Sequence, residues 1–341
     1  MRYVIIGAGA IGGTLGGRLA QHSSTPPLLI ARGAHGEALA STGLRLRSPD
    51  EDVTVPVVTA SSPDDVRLLV DDVLVIATKT QSVEAALQDW VDQPVFSDPS
   101  EASLGSAGDL LPLFTALNGV ASERIASRYF ARVFAVCVWL PAVHLTPGEV
   151  VVRIAPSSGT FIIGRYGRAA DDADRALLAA LEADWTAATF RIFLTDDVMA
   201  WKHRKLLSNL GNAVQALVGP SAPKSIHDRL AAEGGSVLEA SGITWPSDAE
   251  EEAWRGDAFD VRPVSGVTGD LGGSSWQSMK RGGSIESDFL NGEIALMARL
   301  VGHQAPLNAT VQRLARQAAG AGAGPGSMTG AELLRALDAA G

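Results

Sequence analysis

One cysteine, Cys137, is all that 341 residues contain, which excludes a disulfide framework and any cysteine-rich metal site. The chain also lacks the run of about 18 consecutive apolar residues that a membrane-spanning helix needs. Positive charge is in deficit: 28 Lys and Arg stand against 38 Asp and Glu, a net charge of −10. That sign opposes a general binder of nucleic-acid backbones, although a local basic pocket can still sit in an acidic protein. Two common catalytic signatures are missing as well. No H-E-x-x-H sets two histidines on one helix face, and no G-x-S-x-G marks a hydrolase nucleophile.

The rest of the composition is ordinary, with 46% hydrophobic and 19% charged residues. At about 150 residues per domain the length suggests two domains, and a chain of this size buries a large core without staples. The expected compartment is the reducing cytoplasm. Arg2 followed by an apolar run imitates a signal peptide, but Gly7, Gly9, Gly12 and Gly13 interrupt it, each costing about 1 kcal/mol in a helix relative to Ala.

Val4-Ile5-Ile6 reads as a short buried strand, followed by a helix over about 10–21 and a second strand, Leu28-Leu29-Ile30. Further strands are expected at Val73–Ala77, within Leu110–Leu117, at Val150-Val151-Val152 and at Thr160–Ile163. Strands alternating with helices imply right-handed crossovers and a parallel sheet. The Pro-, Ser-, Gly- and Asp-rich stretch 91–108 reads as an inserted loop. From about Thr195 the pattern turns helical, with Met199, Leu206, Leu210, Ala213, Val214 and Leu217 on one face of a helix. A later helix over 284–301 is expected to bury Ile285, Phe289, Leu296 and Leu300, and the small-residue tail 318–327 reads as a flexible linker to a short terminal helix. The expected architecture is α/β, with a doubly wound dinucleotide-binding domain of the Rossmann type over 1–194 and an all-α domain over 195–341.

Gly7-Ala8-Gly9-Ala10-Ile11-Gly12 matches G-x-G-x-x-G directly after a strand and at the opening of a helix, the setting that chemistry requires. The first glycine permits the turn, the second lets backbone approach a pyrophosphate, and the third allows close packing of helix on strand. Free amides at the helix start then hold the phosphates. It is not a Walker loop, since no Lys-Ser/Thr follows Gly12. At the end of the second strand an acid would select NAD through the ribose hydroxyls; Arg32 stands there instead, and a guanidinium grips a 2′-phosphate with two hydrogen bonds. NADP(H) is therefore the expected cofactor, though a solvated arginine at a strand end would look the same.

Lys79 ends the third apolar strand, on the side where parallel strands meet their ligands, but a surface lysine there is common too. Asn118-Gly119 is either an ordinary turn or an amide aimed into the crevice. Lys205, Asn209 and Asn212 fall at i, i+4 and i+7, a narrow polar stripe that reads as a cleft wall. Lys202, His203 and Arg204 make the same stretch simply basic. Glu286, read alone, is a first-turn acid behind a Ser284 cap, favoured by the helix dipole by about 0.3–1 kcal/mol.

Together the glycine turn, Arg32, Lys79, Asn118-Gly119, the W-K-H-R-K-L-L-S-N helix, the S-S-W-Q-S and S-I-E-S-D-F-L-N-G-E segments and a P-G-E turn at 147–149 resemble the ketopantoate reductases, in the same order over nearly the whole chain. The resemblance implies NADPH-dependent reduction of a 2-oxoacid, with Lys205 as general acid and Glu286 as the second catalytic residue. It implies substrate contacts from Asn118, Asn209 and Ser275. Cofactor contacts would come from Gly7, Gly9, Ala10, Ile11, Gly12, Arg32, Lys79 and Asn118. The implied partner is a small-molecule 2-oxoacid, with no metal, nucleic acid or membrane, for a chain acting alone or as a homodimer. Three departures bear on substrate identity. Ala213 occupies the family's second asparagine position and Asn212 precedes it. The serine segment is one residue short, so Ser274 competes with Ser275. The stretch 91–108 has no counterpart in compact members. The alternatives are a reductase of the same fold for a different 2-oxoacid and a non-catalytic NADPH-binding sensor, which needs no proton donor.

Overall fold

The computed structural model describes residues 1–255, 260–268 and 272–341. The chain forms two compact units. One comprises Met1–Leu117, Ser122–Met199 and Glu252–Val267; the other comprises Asn118–Ala121, Ala200–Glu251 and Thr268–Gly341.

The first unit is built on an eight-stranded sheet of β1 (Arg2–Ile6), β2 (Leu28–Ile30), β5 (Val58–Ala60), β7 (Asp72–Ile76), β10 (Pro112–Ala116), β11 (Arg132–Trp139), β14 (Gly159–Arg165) and β15 (Phe190–Leu194). Its order is β15-β14-β11-β10-β7-β1-β2-β5. The strands from β5 to β11 pair in parallel. Alternation along β1 divides the core: Val4 and Ile6 pack with Val83, Leu87 and Trp90 of α3 (Val83–Val91), while Tyr3 and Ile5 pack with Leu15 and Leu19 of α1 (Ala10–His22) and Trp185 of α6 (Asp172–Ala187). Helices cover both faces of this sheet, as the doubly wound reading requires.

Four features depart from the sequence reading. The sheet is not wholly parallel: β14 runs antiparallel to β11 because no helix crosses over between them. Strands β11 and β15 were not anticipated, although Val133–Trp139 is an unbroken apolar run. A second sheet, β12 (Ala142–Val143), β13 (Glu149–Val152), β3 (Leu44–Arg47) and β4 (Asp52–Val55) in that order, also escaped the reading. The stretch 91–108 is not merely loop. It carries β8 (Pro94–Phe96) and β9 (Ser103–Ser106), which join β6 (Leu68–Leu69) in a third sheet, and leads into α4 (Ala107–Leu110).

The second sheet explains the glycines of α1. Ideal Cβ atoms on Gly16, Gly17 and Gly13 would lie 2.8 Å from Leu29 Cδ1, 2.8 Å from Leu44 Cδ2 and 2.9 Å from Val150 Cγ1. Each glycine gives up about 1 kcal/mol of helix propensity relative to Ala. In return, strands of two sheets approach the helix axis more closely than any side chain would allow.

In the second unit the described residues are helical. Leu206, Leu210, Ala213, Val214 and Leu217 are buried as expected, with Met199 half-buried. The expected single helix, however, is two: α7 (Val198–Asn209) and α8 (Gly211–Val218) meet at Leu210. Side chains support the break. His227 of α9 (Lys224–Ala240) bonds the Ser208 carbonyl at 3.3 Å, and Asn291 Nδ2 donates to the Leu210 carbonyl at 3.1 Å. Asn291 is itself held by Asn308, whose amide also donates to Glu233.

A second break reverses an expected burial. The span 284–301 forms a 3₁₀ turn, Glu286–Phe289, and then α12 (Asn291–Leu300), so the helical phase restarts at Leu290. Ile285 is buried and Phe289 half-buried, but Leu296 is exposed and Leu300 is 71% exposed. Ile294, Ala295 and Ala298 fill the core in their place. Ser284 is not a cap; Ile285 precedes the turn and no side chain caps it. The tail is fastened rather than loose. After α13 (Pro306–Gly320), Gly326 and Met328 donate backbone hydrogen bonds to Ala216 and Leu217 of α8, and the terminal helix α14 (Gly330–Asp338) follows.

This phase is open to test by urea unfolding. Ile294→Ala should cost about 2–5 kcal/mol as a cavity at a fully buried site, and Leu300→Ser should stay within about 0.5 kcal/mol. Equal losses would place the wrong face of α12 in the core.

Candidate active site

In the first unit the glycine turn has the geometry each position demands. Gly7 sits at φ +100°, a region disfavoured for side-chain-bearing residues. A Cβ on Gly12 would lie 2.0 Å from the Gly7 carbonyl oxygen, so only glycine lets α1 start this close to β1. At Gly9, the residue before α1, a Cβ would meet nothing within 4 Å. That open position is where backbone can face a ligand. The amides of Ala10, Ile11 and Gly12 have no carbonyl to bond within the helix, and Gly9 offers no capping side chain.

A groove of about 550 Å³, within the range of small-ligand sites, opens beside this turn, lined by Gly7, Gly9, Arg32, His35, Ser62 and Thr78 among others. Arg32 stands between β2 and α2 (Gly33–Thr42), its side chain 74% exposed and 4.0 Å from Asp89. Lys79 follows β7 at the carboxyl edge of the sheet and opens a 3₁₀ turn, half-buried.

The second unit brings together residues far apart in sequence. Lys205 is half-buried on α7, and Asn209, one turn later, is 6% exposed. Asn209 Nδ2 donates to Asn118 Oδ1 at 3.1 Å, across 91 residues. The amide of Asn118 is thus engaged rather than merely part of a turn. Its neighbour Gly119 has φ +77°, and a Cβ there would lie 2.9 Å from the Phe289 carbonyl.

Glu286 is 4% exposed, and the Ser274 hydroxyl donates to its Oε2 at 3.3 Å. Of the two competing serines the structure brings Ser274 to the acid; Ser275 is buried in α11 (Ser274–Lys280). The start of α11 is held by a residue the sequence reading missed: Gln215 Oε1 accepts from the Gly273 amide at 2.7 Å. Asn212 lies beside it, half-buried, its Oδ1 3.7 Å from an ideal Cβ on Gly273, whereas Ala213 points into the core. The spacing of Gln215 three residues after Asn212, on one helix face, was a legible signal.

Lys202 also departs from expectation. It is 2% exposed rather than a solvated charge, and Arg204 is engaged by Asp248 and Glu251. The basic stretch therefore divides by facing, and charge count alone does not describe it.

A glycine turn at the start of a helix in one unit, and in the other a lysine one helical turn from a buried asparagine together with a buried carboxylate, suit an oxidoreductase that uses a nicotinamide dinucleotide. The chain belongs to the ketopantoate reductase family. The profile of ketopantoate reductase PanE/ApbA matches residues 3–168, and that of the family's C-terminal part matches 197–319. The 2-dehydropantoate 2-reductase of Mesorhizobium japonicum is 27% identical, covering 94% of this chain and 98% of its own. That of Pyrococcus horikoshii is 26% identical over 90% and 94%. Among solved structures, a PanE/ApbA family ketopantoate reductase from Ralstonia eutropha superposes with a TM-score of 0.71 at 24% identity, covering 94% of this chain and 99% of that one. D-mandelate dehydrogenase with NADH and anilino(oxo)acetate reaches 0.75 at 20% identity over 94% and 99%. At these identities the two structures establish the fold. The family and its curated members make the chain an oxoacid reductase.

The glycines permit a direct check. Gly9→Ala should leave thermal stability near wild type, since its Cβ enters open space, yet weaken nicotinamide dinucleotide binding at least about tenfold. Gly12→Ala should lose about 1–3 kcal/mol of stability through overpacking. A Gly9→Ala protein with wild-type affinity in fluorescence titration would place the phosphates elsewhere.

Proposed function

We propose that this chain reduces a small 2-oxoacid to the 2-hydroxy acid with NADPH, Lys205 serving as general acid. The observation that carries the reading is the α7 pairing: Lys205 and Asn209 lie one turn apart, and Asn209 is tied to Asn118. A nicotinamide cofactor, when bound, supplies a hydride to the substrate carbonyl carbon. Negative charge then grows on the carbonyl oxygen. The Lys205 ammonium stabilises that charge and donates the proton that completes the alcohol. Asn209 and Asn118 orient the substrate from the same wall. Each amide hydrogen bond contributes about 0.5–1.5 kcal/mol net, so their part is direction more than affinity.

Glu286 holds a substrate polar group from the other side. Its bond to Ser274 supports giving Ser274, in preference to the buried Ser275, the role of meeting the substrate carboxylate. Gly7, Gly9, Ala10, Ile11 and Gly12 receive the cofactor phosphates through backbone, with Lys79 at the neighbouring strand end. Arg32 receives the 2′-phosphate, a reading supported by its exposure and by the lack of an acid at that position. Ala213 stands where the family carries an asparagine, and the loss of that amide supports a 2-oxoacid other than ketopantoate.

A panel of 2-oxoacids followed by NADPH absorbance identifies the substrate. With the best of them, Lys205→Ala should lower kcat at least about a hundredfold with cofactor affinity little changed. Lys224→Ala, at an exposed helix start, is the control; buried Lys202 does not serve. Near-full turnover by Lys205→Ala would remove it as general acid. Arg32→Ala should weaken NADPH far more than NADH, and equal losses for the two would dissociate Arg32 from the 2′-phosphate.

A further inference from the structure

The glycine turn that receives phosphates is flexible by composition, and something must hold it. Ala8 is followed by Gly9, so the peptide joining the two has a glycine's conformational freedom at its Gly9 end. A peptide unit is planar and trans, so the direction of the Ala8 carbonyl fixes the opposite direction of the Gly9 N–H. Rotation of this one unit would withdraw an amide from the phosphates.

His35, in the first turn of α2, bonds that carbonyl through Nε2 at 2.8 Å. On the other side of the ring, the Gly148 amide donates to Nδ1 at 2.9 Å. An Nδ1 that accepts carries no proton, so Nε2 carries it and donates to Ala8. Only the neutral imidazole in this tautomer satisfies both partners. Burial pushes the His35 pKa below its ordinary value, in keeping with the neutral form. The ring is steadied by His144, whose centroid lies 4.2 Å away and whose Nδ1 bonds the Glu149 carbonyl at 3.0 Å. The start of α1 lies close to the same oxygen: a Cβ on Gly13 would lie 2.7 Å from it.

We infer that His35 is a positioning residue for dinucleotide binding, locking the Ala8–Gly9 peptide by bridging it to the Gly148 turn of the second sheet. It acts through backbone, on the part of the ligand that NADPH and NADH share, the pyrophosphate. This rests on the assignment of the glycine turn to the cofactor. It also separates His35 from Arg32, three residues earlier, which concerns the 2′-phosphate alone.

The test measures dissociation constants for NADPH and NADH by fluorescence titration, together with kcat at saturating cofactor, in the intact protein. His35→Leu should weaken both nucleotides at least about tenfold and to the same degree, while turnover at saturation falls far less. His35→Gln, which presents one acceptor and one donor from a single planar group, should recover most of the affinity. If the Leu variant does not fold, His35→Gln against the shorter His35→Asn decides the question, with affinity kept by Gln and lost by Asn. A folded Leu variant with wild-type affinities, or a Gln variant no better than Leu, would overturn the proposal. Wild-type protein that binds neither nucleotide would overturn the cofactor assignment itself, and the positioning role with it.

Discussion

The first unit depends on one constraint, the face of α1 that carries no side chains. At Gly12 the helix rests against the turn it follows, and at Gly13, Gly16 and Gly17 two sheets press on it from different directions. A single methyl at any of these places would meet atoms at 2.9 Å or less. About 4 kcal/mol of helix propensity is given up across the four, and the packing of Leu29, Leu44 and Val150 offsets it. The consequence is spatial. Because the second sheet lies so close, its Gly148 turn comes within one imidazole's width of the glycine turn. Gly12 belongs both to the glycine turn and to the packing face of α1.

The second unit solves a related problem with polar side chains. The helical stretch over 198–218 is interrupted at Leu210, between α7 and α8. Freed carbonyls at such a break cost free energy unless they are bonded. His227 and Asn291 supply the bonds, and Asn291 is anchored in turn by Asn308. Asn291 and Asn308 are fully buried. They let α7 offer Lys205 and Asn209 while α8 turns Gln215 toward the start of α11. The helix that carries Lys205 and Asn209 ends on this buried network.

Much of this was legible beforehand because it is local. A strand, a glycine turn and a helix start lie within twenty residues, and period-two and period-3.6 patterns are written in adjacent positions. Arg32 follows from the end of a recognisable strand, and Lys205 with Asn209 from one helical turn. Strand β11 is equally legible in the apolar run Val133–Trp139. The second sheet was harder, since its strands are short and pair across about a hundred residues, as Arg45 does with Glu149.

By itself, then, the sequence determined a doubly wound unit opening on a glycine turn, a helical unit after it, and the residue types available for chemistry. Tertiary structure decided which of them meet. It chose Ser274 over Ser275 for Glu286, joined Asn118 to Asn209, buried Lys202, exposed Leu300, and set His35 between two loops 140 residues apart. The physical reason is range. Propensity and periodicity act over a few residues, so they assign an element and a face. Hydrogen bonds between distant side chains, and the helix breaks they support, exist only once the whole core has closed around them.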